Sequence, residues 1–157
     1  SAANLAATLR SWSASAKDPT PLSEAADLLQ QSIELTPRDQ AAADWAELES
    51  KLGNVWGDMF GFDGKPETAD KAVAAYQAAE EVTTADANLD AWAGLELDIL
   101  DVQLRAGTPT HDIARMKLAR DTAATAASIL KARGNSQASY FEPVVPALDQ
   151  YIAAFAK

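Results

Sequence analysis

Residues 44–84 of this chain read DWAELESKLGNVWGDMFGFDGKPETADKAVAAYQAAEEVTT, and this stretch decides the fold class. On both sides of a short polar segment, apolar residues recur every three or four positions, which is the spacing of one face of an α-helix. The polar segment reads GFDGKP, in which Asp63 and Gly64 form a turn signal. The stretch therefore predicts a helix, a loop and a second helix.

Much of this pattern recurs on both sides of the stretch at a spacing of 47 residues. Three sets of equivalent positions carry similar residues: Leu5, Leu52 and Ile99; Ala25, Ala72 and Ala119; Leu35, Val82 and Ile129. A fixed period of this size is typical of stacked two-helix units. We therefore predict an all-α fold in a single domain, residues 1–157, with units at 3–37, 39–84 and 86–134 and a terminal helix at 139–156.

The composition favours a folded helical chain and limits its partners. Hydrophobic residues, mostly Ala and Leu, make up 48% of the 157 residues, which is typical of a globular chain and favours helix. The net charge of −10 disfavours binding to nucleic acid or anionic lipid, because both need a basic surface. A cationic protein or peptide is compatible with this charge, which also serves solubility.

Two further features concern the compartment. The chain has no Cys, which excludes disulfides and Cys-based metal sites but fits both cytosolic and exported proteins. No window approaches the roughly 20 apolar residues that a membrane span needs, so we expect no membrane insertion. The sequence leaves the localisation open, with the cytoplasm favoured and export after removal of a signal peptide as the alternative.

Several apolar and small residues give local expectations about contacts between helices. Gly53 lies inside the predicted third helix at a cost of about 1 kcal/mol relative to Ala, so we expect a neighbour to approach closely there. Leu5, Leu9 and Trp12 fall on one side of the first helix, which is predicted to be buried. Leu35 belongs to the predicted buried side of the second helix. The tryptophans are expected to pack between helices rather than to stack on a ligand: Trp12, Trp45, Trp56 and Trp92.

The predicted terminal helix contains two prolines with different expected roles. Ser139 and Glu142 have the spacing of a capping box, which predicts a helix start near Ser139. Pro143 is then tolerable in the first turn, whereas we expect Pro146 to kink or restart the helix.

The middle unit resembles a tetratricopeptide repeat. That family has a Leu-Gly pair and then a large residue in its first helix, and Ala, an aromatic and Ala in its second. The matching residues are Leu52, Gly53, Trp56, Ala72, Tyr76 and Ala79. The string WAELESKLGN is similar to a bacterial subset with longer first helices and loops, which accounts for the long period. The outer units depart from the pattern, since Ala6 and Leu100 replace the family Gly, and are degenerate copies.

The resemblance implies a right-handed superhelix of three helix pairs followed by a C-terminal packing helix. First helices of such repeats line a groove that binds a peptide or a helix, which implies a non-catalytic protein- or peptide-binding scaffold. The groove positions that carry over are Glu47, Ser50, Asn54, Asp58, Leu97, Asp101 and Arg105. Asn54 is the leading candidate because an amide can donate to and accept from a peptide backbone. The competing interpretation is an Asn54 amide that faces water.

The charges at these positions bear on the ligand. Glu47, Asp58 and Asp101 suggest a basic partner, although exposed acids are expected in a chain with a net charge of −10. A subgroup of the family grips a C-terminal carboxylate with Lys and Asn residues. The mapped positions are largely acidic or neutral, so such a clamp is not supported.

No residue pattern indicates catalysis. His111 is the only His, and we expect an exposed residue at the start of the sixth helix rather than a metal ligand or a general base. The sequence contains no phosphate-binding loop and no nucleophile elbow. We expect no enzyme activity, no metal and no cofactor. Two other functions stay open: a sensor or carrier that holds a small ligand between helices, and a self-association module that forms a homo-oligomer.

Overall fold

The computed structural model describes residues 1–156, and these residues form helices and no β-strand. The predicted all-α fold class is therefore confirmed. The helices are α1 (Ala2–Ala16), α2 (Thr20–Glu34), α3 (Ala42–Asp63), α4 (Pro66–Glu80), α5 (Leu89–Gly107), α6 (Ile113–Ala132), α7 (Ala138–Phe141) and α8 (Val144–Phe155).

The helices fall into two compact units, the first comprising Ser1–Thr83 and the second beginning at Thr84. In the first unit α1 packs against α2, α3 packs against α4, and α3 also contacts α1 and α2. In the second unit α5 packs against α6, which α7 and α8 cover further. Each predicted helix pair is thus present as a packed pair, while the single domain and the superhelix stay predictions.

Buried aliphatic side chains of α1, α2 and α3 form the core of the first unit. Its larger members are Leu9, Leu22, Leu29, Leu52 and Val55. Small residues lie between them and let the helices approach: Ala6, Ala25, Ala26 and Ala75. Burial of each Leu or Val side chain contributes about 1.5–3 kcal/mol to folding. This core fixes α3 against the first helix pair.

The close approach expected at Gly53 is confirmed, and the neighbour is the ring of Tyr76 on α4. A Cβ atom built on Gly53 would lie 2.6 Å from Tyr76 Cε1 and 2.7 Å from Tyr76 Cδ1. Tyr76 itself is buried. The missing side chain of Gly53 therefore makes the space that the Tyr76 ring fills, and α3 and α4 pack around this contact.

The first helix buries a different side from the one that was predicted. Its buried residues are Ala6, Leu9 and Ser13, whereas Leu5 is 50% and Trp12 is 59% exposed. Each exposed residue directly precedes a buried one and so points about 100° away around the helix. The stripe of Ala6, Leu9 and Ser13 makes the contacts with α2 and α3. The prediction that Leu5 and Trp12 are buried is therefore wrong.

A similar correction applies to Leu35. Helix α2 ends at Glu34, one residue before Leu35, which becomes the C-cap. Leu35 is 84% exposed, because the side that it would cover lies beyond the last helical turn. The sequence period extended the buried stripe one residue too far.

The remaining three tryptophans differ in their surroundings. Trp92 is buried in the core of the second unit. Trp45 and Trp56 are partly exposed, and each has a cation over its ring. The Arg38 guanidinium lies 4.7 Å from the Trp45 ring centroid, and the Lys71 ammonium lies 4.5 Å from that of Trp56. The predicted packing between helices is therefore confirmed for Trp92, whereas Trp45 and Trp56 are only partly buried.

The C-terminal segment forms two helices. Pro143, predicted in a first turn, lies at the break, and Pro146, predicted at the break, lies in a first turn. The break falls at Glu142 and Pro143, between α7 and α8, and Pro143 is the N-cap of α8. Pro146 lies in the first turn of α8, where its missing N–H would have had no partner within the helix. The predicted capping box is absent, because the Ser139 hydroxyl donates to the carbonyl of Ser136 at 2.8 Å.

The core of the second unit is built on the alanine-rich side of α6. Buried alanines there allow α5, α7 and α8 to approach closely: Ala119, Ala123, Ala126 and Ala127. The larger buried residues are Trp92, Leu100, Met116, Leu130, Phe141 and Leu148. The terminal helices thus cover α6 through Phe141 and Leu148, as the predicted role of the terminal segment requires.

Replacement of Gly53 by Ala should destabilise the protein although Ala is the better helix former. The new Cβ would meet the buried Tyr76 ring, and such overpacking typically costs about 1–3 kcal/mol. Gly61→Ala in the same helix is the matched control, because no atom lies within 4 Å of its added Cβ. Urea denaturation should show a lower free energy of unfolding for Gly53→Ala and an unchanged or higher one for Gly61→Ala. Equal stability of the two variants would contradict the contact.

Candidate functional site

The residues predicted to bind a ligand lie in two groups, each on one side of a single helix. In the first unit α3 carries the group that we call the α3 face: Glu47, Ser50, Asn54 and Asp58. In the second unit α5 carries Leu97, Asp101 and Arg105. Spacings of three and four residues place side chains above one another on a helix. Each group therefore forms a continuous strip within its own unit.

Asn54, near the middle of the α3 face, is held by a hydrogen bond from α4. The hydroxyl of Tyr76 donates to Asn54 Oδ1 at 2.8 Å, while the ring of Tyr76 lies over Gly53. This bond fixes the carbonyl side of the amide. The two N–H donors of Asn54 have no acceptor among residues 1–156. The two interpretations of Asn54 from the sequence, a ligand contact or an amide facing water, did not include this bond from Tyr76.

The acidic residues of the α3 face form ion pairs with basic side chains of the first unit. Arg10 of α1 donates through Nε to Asp58 Oδ2 at 2.6 Å, so the first helix contributes to this surface. Glu47 pairs with Lys51 one turn further along α3, at 3.3 Å. Both pairs are partly exposed, and pairs of this kind stabilise a protein by at most about 1 kcal/mol.

The strip on α5 combines an apolar residue with a third ion pair. Leu97 is 40% exposed, and Arg105 donates through Nε to Asp101 Oδ2 at 2.8 Å. All three acids that suggested a basic ligand are therefore already paired with an intramolecular cation. A basic partner would have to share or displace these cations, so the basic ligand stays a prediction.

A second surface of the first unit, missed by the sequence analysis, lies between α2 and α4 with α3 as its floor. We call it the α2–α4 cleft, and its volume is about 360 Å³. It is lined by Gln30, Glu49, Leu52, Trp56, Lys71, Ala74, Ala75 and Ala78. Short side chains on α4 leave the space open, and the run of alanines in that helix is the sequence signal that could have indicated it.

Glu49 in the cleft has a carboxyl group with a raised pKa. Partial burial raises the pKa of its carboxyl above the ordinary value, and the nearby negative charge of Glu81 raises this pKa further. Burial acts because a charged carboxylate loses hydration when it leaves water. Glu81 itself is paired with Arg38 of the loop after α2. Glu49 is therefore a half-buried acid whose charged form would gain from a nearby cation.

His111, the only His of the chain, lies in the loop before α6 and is exposed. It adopts a left-handed backbone conformation with φ of 50°. Its Nδ1 lies 2.6 Å from the hydroxyl of Tyr151, and its ring stacks on Phe155 with 4.1 Å between centroids. These contacts fasten α8 to the loop, which is a structural role.

Within residues 1–156, no three His, Cys, Asp or Glu side chains are placed to share a metal ion. None of the helices formed by these residues combines the length and apolarity that a membrane crossing requires.

Comparisons with known proteins leave the family undetermined. No protein-family model, no curated protein sequence and no solved structure matches the chain significantly. The resemblance to tetratricopeptide repeats therefore stays a prediction that rests on the residues quoted above.

Neutralising Glu49 should raise stability at neutral pH more than at acid pH. The pKa of Glu49 is higher in the folded state than in the unfolded state. Its carboxyl therefore stabilises the fold fully below the ordinary pKa of 4.5, and this stabilisation is lost as the pH rises through the raised pKa. The urea midpoint of Glu49→Gln should therefore rise relative to that of the native chain between acid and neutral pH. Glu47→Gln is the control and should gain nothing, since it loses the pair with Lys51. Parallel pH profiles for Glu49→Gln and the native chain would contradict this account.

Proposed function

We propose that this chain is a non-catalytic scaffold that binds a protein or peptide segment along the α3 face. The observation that supports this best is the fixed orientation of the Asn54 amide. A right-handed superhelix of tetratricopeptide-like pairs is part of the proposal, with the residue pattern of the middle unit as its support.

The hydrogen bond from Tyr76 gives Asn54 a specific recognition role. An extended peptide offers a carbonyl acceptor at every residue, and the Asn54 amide offers two donors. A side chain already held in one rotamer loses little conformational freedom on binding, which favours affinity. A surface Asn without such a support would have to be ordered by the ligand.

The charges of the α3 face favour a segment that is neutral along the contact. Glu47 with Lys51 and Asp58 with Arg10 form balanced pairs, so the strip itself carries little net charge. The net charge of −10 on the whole chain acts at longer range and attracts basic partners during encounter. We therefore propose backbone recognition at Asn54, with long-range charge favouring basic proteins.

A second candidate function, pairing with another copy of this chain, is favoured by the outer side of α1. Leu5 and Trp12 are exposed there, and α1 contains no acidic residue in a chain that is otherwise strongly acidic. Its one charged residue, Arg10, is engaged by Asp58. Leu52, equivalent to Leu5 in the next pair, is covered within the first unit. Two α1 helices could therefore meet without repulsion between like charges.

Sedimentation equilibrium tests this second candidate. The native chain should form dimers that dissociate on dilution, and a Leu5→Ser, Trp12→Ser double variant should be monomeric. Leu118→Ser, which alters an exposed Leu of the second unit, is the control and should still form dimers. A native chain that stays monomeric at millimolar concentration would exclude self-association through α1.

Loss of the Asn54 amide should weaken peptide binding without unfolding the protein. Peptides selected from a random display library on the native chain should bind Asn54→Ala about tenfold more weakly, which corresponds to about 1.4 kcal/mol. Tyr76→Phe keeps the ring over Gly53 but removes the hydroxyl, and should weaken the same peptides by a smaller factor. Affinities can be measured by fluorescence anisotropy of labelled peptides.

Asn4→Ala, which alters an exposed amide on α1, is the control and should leave the affinities unchanged. Far-ultraviolet circular dichroism should show full helicity for every variant. Peptides that bind Asn54→Ala and Tyr76→Phe as tightly as the native chain would contradict the proposed role of the α3 face.

A further inference from the structure

We propose that the α2–α4 cleft binds a short zwitterion of about dipeptide size, with its ammonium group at Glu49, its carboxylate at Lys71 and an apolar side chain against Leu52 and Trp56. This site lies on the opposite side of α3 from the α3 face and does not depend on the function proposed for that face.

Two opposite charges line the cleft without neutralising each other. Among residues 1–156, the Glu49 carboxylate and the Lys71 ammonium form no ion pair with each other or with a third residue. This contrasts with the α3 face, where both acids are paired. A ligand that carries one charge of each sign would satisfy both groups at once.

The spacing along α3 sets the size of this ligand. Glu49 and Trp56 are seven residues apart, which is about 10 Å along a helix axis. The Lys71 ammonium lies over the Trp56 ring, so the basic end of the cleft is at Trp56. A dipeptide spans about 7 Å of extended chain and a single amino acid about half of that, so the dipeptide is better suited to charged groups at the two ends of the cleft.

The floor of the cleft selects an apolar side chain. Leu52, the Trp56 ring and Ala75 line the cleft together with the two charged groups, and each offers an apolar surface from which a ligand could displace water. The cleft volume of about 360 Å³ falls at the lower end of the range for small-molecule sites. A dipeptide with one aliphatic residue fits within this volume.

The acidic end favours an ammonium group specifically. Partial burial and the charge of Glu81 both make the charged form of Glu49 unfavourable in the empty cleft. An ammonium group beside Glu49 would oppose both effects, since an opposite charge within a few ångströms stabilises a carboxylate. A ligand without this group would gain little from Glu49.

Leucyl-alanine is the probe of choice, titrated into the full chain labelled with ¹⁵N. A ligand of this size should bind with a Kd on the order of 1 mM. We expect saturable shifts of the Trp56 indole N–H and of the Ala75 amide. Glu49→Gln and Lys71→Gln should each weaken binding by about tenfold or more.

Blocked ligands assign each end of the site. N-acetyl-leucyl-alanine should bind the native chain weakly and should be insensitive to Glu49→Gln, because the group that Glu49 recognises is gone. Leucyl-alaninamide should be insensitive to Lys71→Gln for the corresponding reason. Lys117→Gln and Asp121→Asn, which alter exposed residues of the second unit, are the controls and should bind leucyl-alanine normally.

Three results would overturn the proposal. The first is the absence of saturable shifts with leucyl-alanine. The second is equal affinity for cadaverine, which carries ammonium groups but no carboxylate. The third is unchanged affinity of both Glu49→Gln and Lys71→Gln while their circular dichroism shows the native fold.

Discussion

The contact between the Tyr76 ring and Gly53 is the constraint on which the first unit depends. Because Gly53 has no side chain, the ring can lie directly against α3. The same geometry carries the hydroxyl of Tyr76 to Asn54 on the exposed side of that helix. One residue of α4 thus fixes both the approach of two helices and the orientation of a surface amide. Core and candidate binding surface are coupled through a single side chain.

The two sides of α3 differ in how they handle charge. On the α3 face each acid has a nearby cation, so that strip carries little net charge. In the α2–α4 cleft Glu49 and Lys71 stay apart, and Glu49 loses hydration without gaining a partner. The same helix therefore offers a polar, balanced strip on one side and a small cleft with separated charges on the other.

The sequence predicted the parts of the fold that follow from helical period and from backbone chemistry. The helix pairs, the loop at Asp63 and Gly64 and the close approach at Gly53 could be predicted in this way. Exposure of Trp12 could not, because it depends on which sides of α1 have neighbours, and a period shows only that one side is apolar. The helix break near Pro143 depends on local competition between two prolines that the sequence pattern ranks wrongly.

The candidate site was predictable to a similar extent. Repeat register identified the strip that contains Asn54, since equivalent positions on a helix share a side. It could not reveal the bond from Tyr76 or the ion pair from Arg10, because both join different helices. The cleft was not predicted because it results from the absence of large side chains on this side of α4. The alanines of α4, such as Ala74 and Ala78, indicate short side chains, but only the arrangement of three helices shows that space is left beside them.

The central claim is that the α3 face, organised by Tyr76 and Asn54, is where this chain meets a partner. The most direct test is a ¹⁵N correlation spectrum of the full chain with and without a peptide selected on it. The account predicts that the largest shifts fall on the Asn54 side-chain amide and on the backbone amides of Ser50 and Asp58. Saturable binding that leaves the Asn54 side-chain amide unshifted, with changes confined to other surfaces, would contradict it.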